Sequence, residues 1–175
     1  MSTREIQIRD GARMRIIDYT PNSTVDGVGV RQVFWTAGCS HHCKGCHNPQ
    51  TWDFNAGTNW PVAKIVSTAM KSPYNVTFSG GDPMEQWEEL TEVCKELKTK
   101  GKDIWVYTGY EWEYIRKNPM KKVLFYIDVL VDGRFVEDLK PPKLVFRGST
   151  NQRIIDVKQS LKEGQFILWK PQKLI

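Results

Sequence analysis

Short apolar runs alternate with amphipathic stretches along most of this chain of 175 residues. Runs rich in β-branched and aromatic residues, bounded by Gly, Pro, Asn or Asp, are typical of strands, whereas apolar positions three or four residues apart are typical of helices. The pattern predicts helices over residues 61–71, 84–100 and 111–117. It predicts strands over residues 14–19, 30–36, 75–79, 104–107 and 126–131, and further strands and a short helix in the remainder, including 144–146, 153–157 and 166–169.

The order of these elements predicts the fold class. Helices and strands alternate, which is typical of α/β proteins with a largely parallel sheet and crossover helices. A chain of 175 residues does not comfortably hold an eight-fold barrel, so we expect a partial, open (β/α) barrel with mostly parallel strands. The length indicates a single domain over residues 1–175, in which residues 156–175 have no assigned role.

Polar and glycine-rich segments follow the predicted strands. They are residues 38–48, 80–83, 108–109 and 132–133. In parallel α/β architectures the carboxyl ends of the strands meet at one edge, and that edge carries the active site. The sequence therefore predicts that these four segments lie together.

The composition excludes some classes of function. No apolar run approaches the roughly 20 residues that cross a bilayer, and the first residues form no apolar signal segment, so we expect no membrane association and a cytoplasmic location. The formal charge of +5 is mild, which fits a solvated basic surface or a docking face for an acidic partner. No compact block of Lys and Arg interleaved with aromatics indicates nucleic-acid binding.

Three of the four cysteines, Cys39, Cys43 and Cys46, lie in one short run. A buried thiolate needs a neutralising charge, so three in one loop indicate a metal centre rather than a disulfide framework. Closed structural zinc sites usually take four protein ligands, whereas three leave a coordination position open. A cubane iron–sulfur cluster on three cysteines would have one iron free to bind something else. A zinc site completed by a histidine of the same run stays open as an alternative.

The run Ser-Gly-Gly-Asp-Pro at 79–83 follows a predicted strand. Its glycines allow the backbone to approach a ligand closely, and its carbonyl groups can accept hydrogen bonds from an ammonium group. An ordinary turn is the alternative interpretation. Its position after the cysteine run favours a ligand contact.

The cysteine run and the glycine run together resemble those of the radical S-adenosylmethionine enzymes. Further strings narrow the resemblance to the activating enzymes of the anaerobic (class III) ribonucleotide reductases, from about residue 28 to residue 155. These strings are Asp-Ile-Trp-Val-Tyr-Thr-Gly-Tyr at 103–110, Val-Leu-Val-Asp-Gly at 129–133 and Arg-Gly-Ser-Thr-Asn-Gln-Arg at 147–153.

The resemblance implies a reaction and its cofactors. It implies that Cys39, Cys43 and Cys46 hold a [4Fe-4S] cluster whose free iron binds S-adenosylmethionine. Reductive cleavage of S-adenosylmethionine would give a deoxyadenosyl radical, which would abstract a hydrogen from a glycine of the partner and leave a glycyl radical. The implied partners are the anaerobic ribonucleoside-triphosphate reductase and, as electron donor, reduced flavodoxin or a similar protein.

The resemblance also implies contacts to S-adenosylmethionine, although it assigns no catalytic side chain. Gly45, Cys46 and His47 would line the adenine end, and Gly81 would meet the methionyl amino group. In the wider family an aromatic residue often precedes the third cysteine and packs on adenine. Here that residue is Gly45, so we expect the imidazole of His47 to stack or hydrogen-bond instead. Asp82 replaces the more frequent Glu of the glycine motif.

Two other functions remain open at this stage. One is activation of another glycyl-radical enzyme, such as pyruvate formate-lyase, although no second cysteine set of the kind found in some longer relatives is present. The other is a zinc-stabilised binding module without catalysis. Among the remaining residues, we expect Cys94 to be a buried small hydrophobe. Asp132 would bind a cation or ribose, or form a turn. In the segment 147–153, the residues expected to contact the partner are Arg147, Asn151, Gln152 and Arg153.

Overall fold

The computed structural model describes residues 11–172, and its centre is a seven-stranded sheet in the order β3-β1-β2-β4-β5-β6-β7. The strands are β1 (Arg13–Ser23), β2 (Arg31–Thr36), β3 (Thr58–Pro61), β4 (Asn75–Gly80), β5 (Ile104–Tyr107), β6 (Val129–Asp132) and β7 (Arg153–Asp156). The α-helices are α1 (Val62–Met70), α2 (Trp87–Thr99), α3 (Trp112–Arg116) and α4 (Val157–Glu163). Short 3-10 helices lie at Pro49–Thr51, Pro83–Gln86, Pro119–Tyr126 and Glu137–Leu139.

The sheet is mixed, and this corrects the expectation of mostly parallel strands. The four central strands β2, β4, β5 and β6 are parallel, while β1, β3 and β7 pair antiparallel on the two flanks. Parallel neighbours need a crossover connection of about a dozen residues or more. The connection from β1 to β2, residues 24–30, is too short for a crossover, so these two strands pair antiparallel. The fold is therefore α/β with an open, mixed sheet.

The helices pack on one face of the sheet and form the main core. Helix α2 buries Leu90, Val93, Cys94 and Leu97, which lie at helical spacing on one side. Each fully buried large apolar side chain stabilises the fold by roughly 1.5–3 kcal/mol relative to an exposed one. Cys94 has no exposed surface and belongs to this core, and its burial raises the pKa of its thiol. The expectation that Cys94 is a buried small hydrophobe is confirmed.

The opposite face of the sheet is covered by the end of the chain. Successive strand residues point to opposite faces, so Trp105 lies on this second face while its neighbours in β5 join the helix-side core. Phe146, Ile154 and Trp169 pack against Trp105 and close the second face over β5 and β6. Near the carboxyl ends of β2 and β4 the second face is not covered in this way, and a cavity lies there.

Several sequence predictions differ from the structure in ways that have physical causes. Strand β3 is not predicted, because Thr58–Pro61 is short, contains proline and pairs only at the edge of the sheet. Pro119 opens a 3-10 helix that runs through Tyr126, so β6 begins at Val129 rather than at residue 126. The expected strand at 144–146 is irregular, and the one at 166–169 reduces to a single bridge from Leu168 to Ile155.

The described helices are also short. The longest of those between residues 11 and 172, α2, has 13 residues, and no helix of that range has the length and apolar character needed to span a bilayer.

Candidate functional site

A cavity of about 460 Å³ lies at the carboxyl ends of the four parallel strands. The four polar segments that the sequence predicts to meet are all represented in its wall. From the end of each strand and the loop after it come Trp35, Cys39, His41, Cys43, Cys46, His47 and Asn48 (β2), Ser79, Gly80, Gly81 and Asp82 (β4), Tyr107, Thr108 and Gly109 (β5), and Gly133 and Phe135 (β6).

The cysteine run forms a loop whose two ends are tied together. The backbone N–H of Gly38 donates to the carbonyl of Thr51 at 2.8 Å, and that of Cys39 donates to Trp52 at 3.2 Å. Inside the loop, the N–H of Cys46 donates to the Cys43 carbonyl at 3.1 Å. The loop therefore has a defined shape, and its three thiols line one cavity.

The three thiols fit an iron–sulfur cluster by their chemistry. All are free; Cys39 is buried and Cys43 and Cys46 are partly buried. Burial raises the pKa of Cys39 to about 11 and also raises that of Cys43, so a thiolate there requires a neutralising cation. Within residues 11–172 no three His, Cys, Asp or Glu side chains are arranged around a single-ion position. Cubane ligands bind separate iron corners and need not converge on one point.

The turn after β4 packs directly on the base of the cysteine loop. The backbone N–H of Gly81 donates to Thr36 and that of Asp82 donates to Gly38, both at 2.8 Å. A Cβ atom on Gly81 would lie 2.5 Å from the Gly38 carbonyl oxygen and 2.9 Å from that of Thr51. A glycine is needed here because two backbones meet. Gly81 lines the cavity, as the ligand prediction requires, but it also supports the cysteine loop.

Asp82 joins three strand connections through one buried carboxylate. It is 1% exposed, and its Oδ1 accepts the backbone N–H of Met84 at 3.0 Å, which caps the following 3-10 helix. Its Oδ2 accepts from the Thr108 hydroxyl and the Gly109 N–H, both at 2.9 Å, and lies 2.7 Å from Nε2 of His41. The residue thus links the cysteine loop to the ends of β4 and β5.

The string at 108–110 positions His41 from the other side. A Cβ atom on Gly109 would lie 2.5 Å from the His41 ring, and the Tyr110 ring packs edge-on against it at 4.5 Å. The Tyr110 hydroxyl donates to Glu85 at 3.1 Å. Sequence reasoning considered His41 only as a zinc ligand and missed its pairing with Asp82. Two polar residues 41 positions apart carry no sequence signal of their contact.

The side of the loop near the third cysteine is covered by the segment that follows β6. Gly45 has φ +73°, in the left-handed region that favours glycine, and a Cβ atom there would lie 2.7 Å from Glu137 Oε1. The His47 ring is tilted on Phe135 at 5.1 Å, and its Nε2 lies 3.0 Å from Lys140 Nζ. These contacts explain why no aromatic residue occupies position 45.

Besides Nδ1 of His41, two further buried polar groups in the cavity wall have no hydrogen-bond partner within residues 11–172. They are the Tyr107 hydroxyl and the Trp52 indole N–H. Burial raises the pKa of Tyr107, so its phenol stays protonated and can donate. Unpaired buried donors of this kind are costly, and a polar ligand in the cavity can satisfy them.

Asp132 belongs to a structural network and not to the cavity wall. It is fully buried and accepts two hydrogen bonds from Arg153, at 2.9 Å and 2.6 Å, and one from the N–H of Trp112 at 2.7 Å. Glu113 completes the network through Arg153. These hydrogen bonds raise the pKa of Arg153 and lower that of Glu113. Of the interpretations open for Asp132, the structure supports a structural one.

Comparisons with known proteins show which family the chain resembles. A family model described as a 4Fe-4S single cluster domain matches residues 25–155. The chain is 37% identical over 152 residues to the anaerobic ribonucleoside-triphosphate reductase-activating protein of Haemophilus influenzae, covering 81% of this chain and 97% of that protein. It is 36% identical over 151 residues to the protein of the same name from Escherichia coli K12, covering 79% and 96%. The corresponding protein of Enterobacteria phage T4 is 38% identical over 142 residues, covering 77% and 88%.

The matched region contains the cysteine loop, the turn after β4 and the segment after β6. The chain therefore belongs to the family of anaerobic ribonucleoside-triphosphate reductase-activating proteins and carries its 4Fe-4S domain.

Proposed function

We propose that this protein activates an anaerobic ribonucleoside-triphosphate reductase by forming a glycyl radical on it. Cys39, Cys43 and Cys46 would hold a [4Fe-4S] cluster, and the chain would act as one radical S-adenosylmethionine domain of the partial-barrel type. The observation that carries the proposal is the shared cavity, in which three free thiols lie beside the glycine turn at the carboxyl ends of parallel strands.

When bound and reduced by a donor such as flavodoxin, the cluster would supply one electron for cleavage of the sulfonium bond of S-adenosylmethionine. The products would be methionine and a deoxyadenosyl radical, and this radical would take a hydrogen atom from the partner's glycine. The chain's own residues would bind and orient S-adenosylmethionine and would exclude water. The turn at 79–82 presents backbone carbonyl groups to the methionyl ammonium, with Gly81 closest to the cysteine loop. Gly45, Cys46 and His47 form the wall for the adenine end.

The depth of the cavity suits a reaction that must avoid water. Cys39 is buried beneath the loop, and the donors of Tyr107 and Trp52 are available for polar groups of the ligand. A radical formed there would be shielded by the residues that line the cavity. Four free cysteines suit a reducing compartment, and we therefore place the reaction in the cytoplasm.

The deciding experiment measures the radical on the partner. The reconstituted protein, a reductant, S-adenosylmethionine and the reductase are mixed without oxygen, and electron paramagnetic resonance is recorded. We expect an organic radical signal on the reductase with wild-type protein and with Cys94→Ala, because Cys94 lies in the core. Cys39→Ala, Cys43→Ala and Cys46→Ala should each give no signal. A full signal from any of these three variants would contradict the ligand assignment.

Iron and sulfide analysis separates this function from a zinc-stabilised module. The reconstituted wild-type protein should hold iron and sulfide in equal amounts. A colourless protein that holds zinc and no iron after anaerobic purification would overturn the proposal.

A further inference from the structure

The segment 133–140, which we call the strap, leaves β6 and crosses the cysteine loop. Four contacts join the two. Phe135 packs on the His47 ring at 5.1 Å, and Lys140 Nζ lies 3.0 Å from His47 Nε2. Glu137 fills the space beside Gly45. Glu137 also forms an ion pair with Lys44, the residue after Cys43, at 3.7 Å. The strap therefore contacts the stretch that contains the second and third cysteines.

The strap has little core of its own to hold it in place. Its residues from 136 to 140 are exposed, and its ion pair from Glu137 to Lys44 spans 3.7 Å between exposed groups, so it contributes little. Hydrogen bonds to another part of the chain also hold it in position.

The string Arg-Gly-Ser-Thr-Asn-Gln-Arg at 147–153 provides these hydrogen bonds. Ser149 Oγ accepts the backbone N–H of Val136 at 3.1 Å, and Asn151 Nδ2 donates to the Arg134 carbonyl at 2.8 Å. The Thr150 N–H donates to the Leu139 carbonyl at 2.9 Å. The expectation that this segment contacts the partner gave these side chains no internal role.

Gln152 is the centre of the attachment. Its Nε2 donates to the Gly133 carbonyl at 2.9 Å, where the strap leaves β6. Its Oε1 accepts the N–H groups of Gly148 and Ser149, at 2.7 Å and 3.1 Å. One amide thus shapes the turn that carries Ser149 and ties that turn to the start of the strap. A donor and an acceptor on one side chain are both required, which explains a glutamine at this position.

We propose that Gln152 is a positioning residue for the cluster, acting through the strap on the loop from Cys43 to His47. The strap braces this loop, so the geometry of two cluster ligands and of the adenine wall depends on Gln152. Gln152 itself lines the cavity, but none of its hydrogen bonds within residues 11–172 reaches the loop from Cys43 to His47. The inference rests on the proposed cluster site.

The test compares Gln152→Leu with the matched control Gln159→Leu. Gln159 lies exposed on α4, and among the described residues its side chain bonds only to Asp156. Hydrogen exchange is followed by mass spectrometry in metal-free and reconstituted protein, over peptides that contain 134–140 and 43–47. We expect exchange in both peptides to be roughly tenfold faster in Gln152→Leu and unchanged in the control, because lost hydrogen bonds lower the local opening free energy.

The second readout is the resonance spectrum of the reduced cluster. We expect Gln152→Leu to take up iron but to show a broadened spectrum and a changed response to S-adenosylmethionine. Gln152→Glu keeps the two acceptor bonds and loses one donor, so it should fall between wild type and Gln152→Leu. If Gln152→Leu does not fold, Gln152→Glu decides the question by the same two readouts.

Two outcomes would overturn the inference. One is unchanged exchange over 43–47 with a wild-type cluster spectrum, even where the strap itself exchanges faster, because Gln152 would then act only within the strap. The other is equal effects from the Gln159 control. Failure of the proposed function is separate and visible in wild type, which would then lack iron, whereas the exchange comparison in metal-free protein would still report on the strap.

Discussion

Two buried aspartates, Asp82 and Asp132, lie at equivalent points of the sheet and do different work. Each is at most 1% exposed, each ends or follows a central parallel strand, and each accepts a backbone N–H at the start of a helical turn. Asp132 pairs with Arg153, a permanent cation. Asp82 instead faces His41, a hydroxyl and an amide.

The difference shows that a place at the active edge of the sheet does not by itself make a residue functional. Arg153 neutralises the Asp132 carboxylate, and the paired side chains link α3, β6 and β7. The Asp82 site holds the cysteine loop and leaves Nδ1 of His41 buried without a partner among the described residues. The partners of a carboxylate, more than its position, decide its role.

The largest effect should come from Asp82→Ala. The change leaves the donors of Met84, Thr108 and Gly109 unpaired in a buried place, and we expect a loss of about 3–5 kcal/mol in the free energy of unfolding. Iron uptake should fall sharply, because His41 loses its anchor. Urea denaturation of metal-free protein and iron counts after reconstitution measure both. Asp18→Ala, which changes an exposed aspartate, is the control; normal iron uptake in Asp82→Ala would refute the link to the loop.

Asp132→Ala should cost stability but spare the site. Arg153 keeps Glu113 as a partner and is partly exposed, so we expect a loss of about 2–3 kcal/mol in the free energy of unfolding. Iron content after reconstitution should match wild type. If this variant loses iron to the same extent as Asp82→Ala, the two aspartates do not differ in role.

Gly81→Val should damage the cysteine loop and the ligand turn together. Its Cβ would lie 2.5 Å from the Gly38 carbonyl oxygen, and overpacking of this kind costs about 1–3 kcal/mol. We expect iron uptake and S-adenosylmethionine binding to fall in parallel. Titration of the reconstituted variant with S-adenosylmethionine, followed by the cluster's resonance spectrum, tests this. Full iron content with lost binding would show that the loop yields and that Gly81 acts on the ligand alone.

The smallest effect should come from Glu113→Gln, at the exposed end of the Asp132 network. Hydrogen bonding from Arg153 lowers the pKa of Glu113, so its contribution is present above the unfolded pKa and is lost as pH falls through the lower folded pKa. We expect a loss of at most about 1 kcal/mol at neutral pH. The difference from wild type should shrink with added salt and vanish in acid. A difference that grows in acid would contradict the assigned sign.

The chemistry-bearing loops could be predicted from the sequence because their signals are local. The three cysteines and the glycine turn are recognisable by spacing alone, and β5 has the bounds that its apolar run predicts. The attachment of the strap by Gln152 could not be predicted, because its hydrogen bonds join residues far apart in the sequence. The same holds for the pairing of His41 with Asp82. The hydrogen-bond partners of Gln152 and His41 depend on which strands become neighbours in the sheet. The local sequence pattern does not predict the order of the strands.

The antiparallel flanks were missed for a related reason. Parallel neighbouring strands need crossover connections, and the sequence predicts helices in the connections that lead to β4, β5 and β6. The return of β7 follows a long connection, residues 133–152, that contains no α-helix. The length of this connection does not predict whether the next strand is parallel or antiparallel to β6. Phe146, with φ +60°, shows how far that connection departs from the strand that its apolar residues predict.

The tied ends of the cysteine loop have a consequence for how the metal centre assembles. A free loop of this length would lose conformational entropy at the moment of metal capture, and that cost would weaken binding. Here the hydrogen bonds from Gly38 to Thr51 and from Cys39 to Trp52 close the loop while the chain folds. The entropic cost of ordering the loop therefore belongs to folding and not to metal binding.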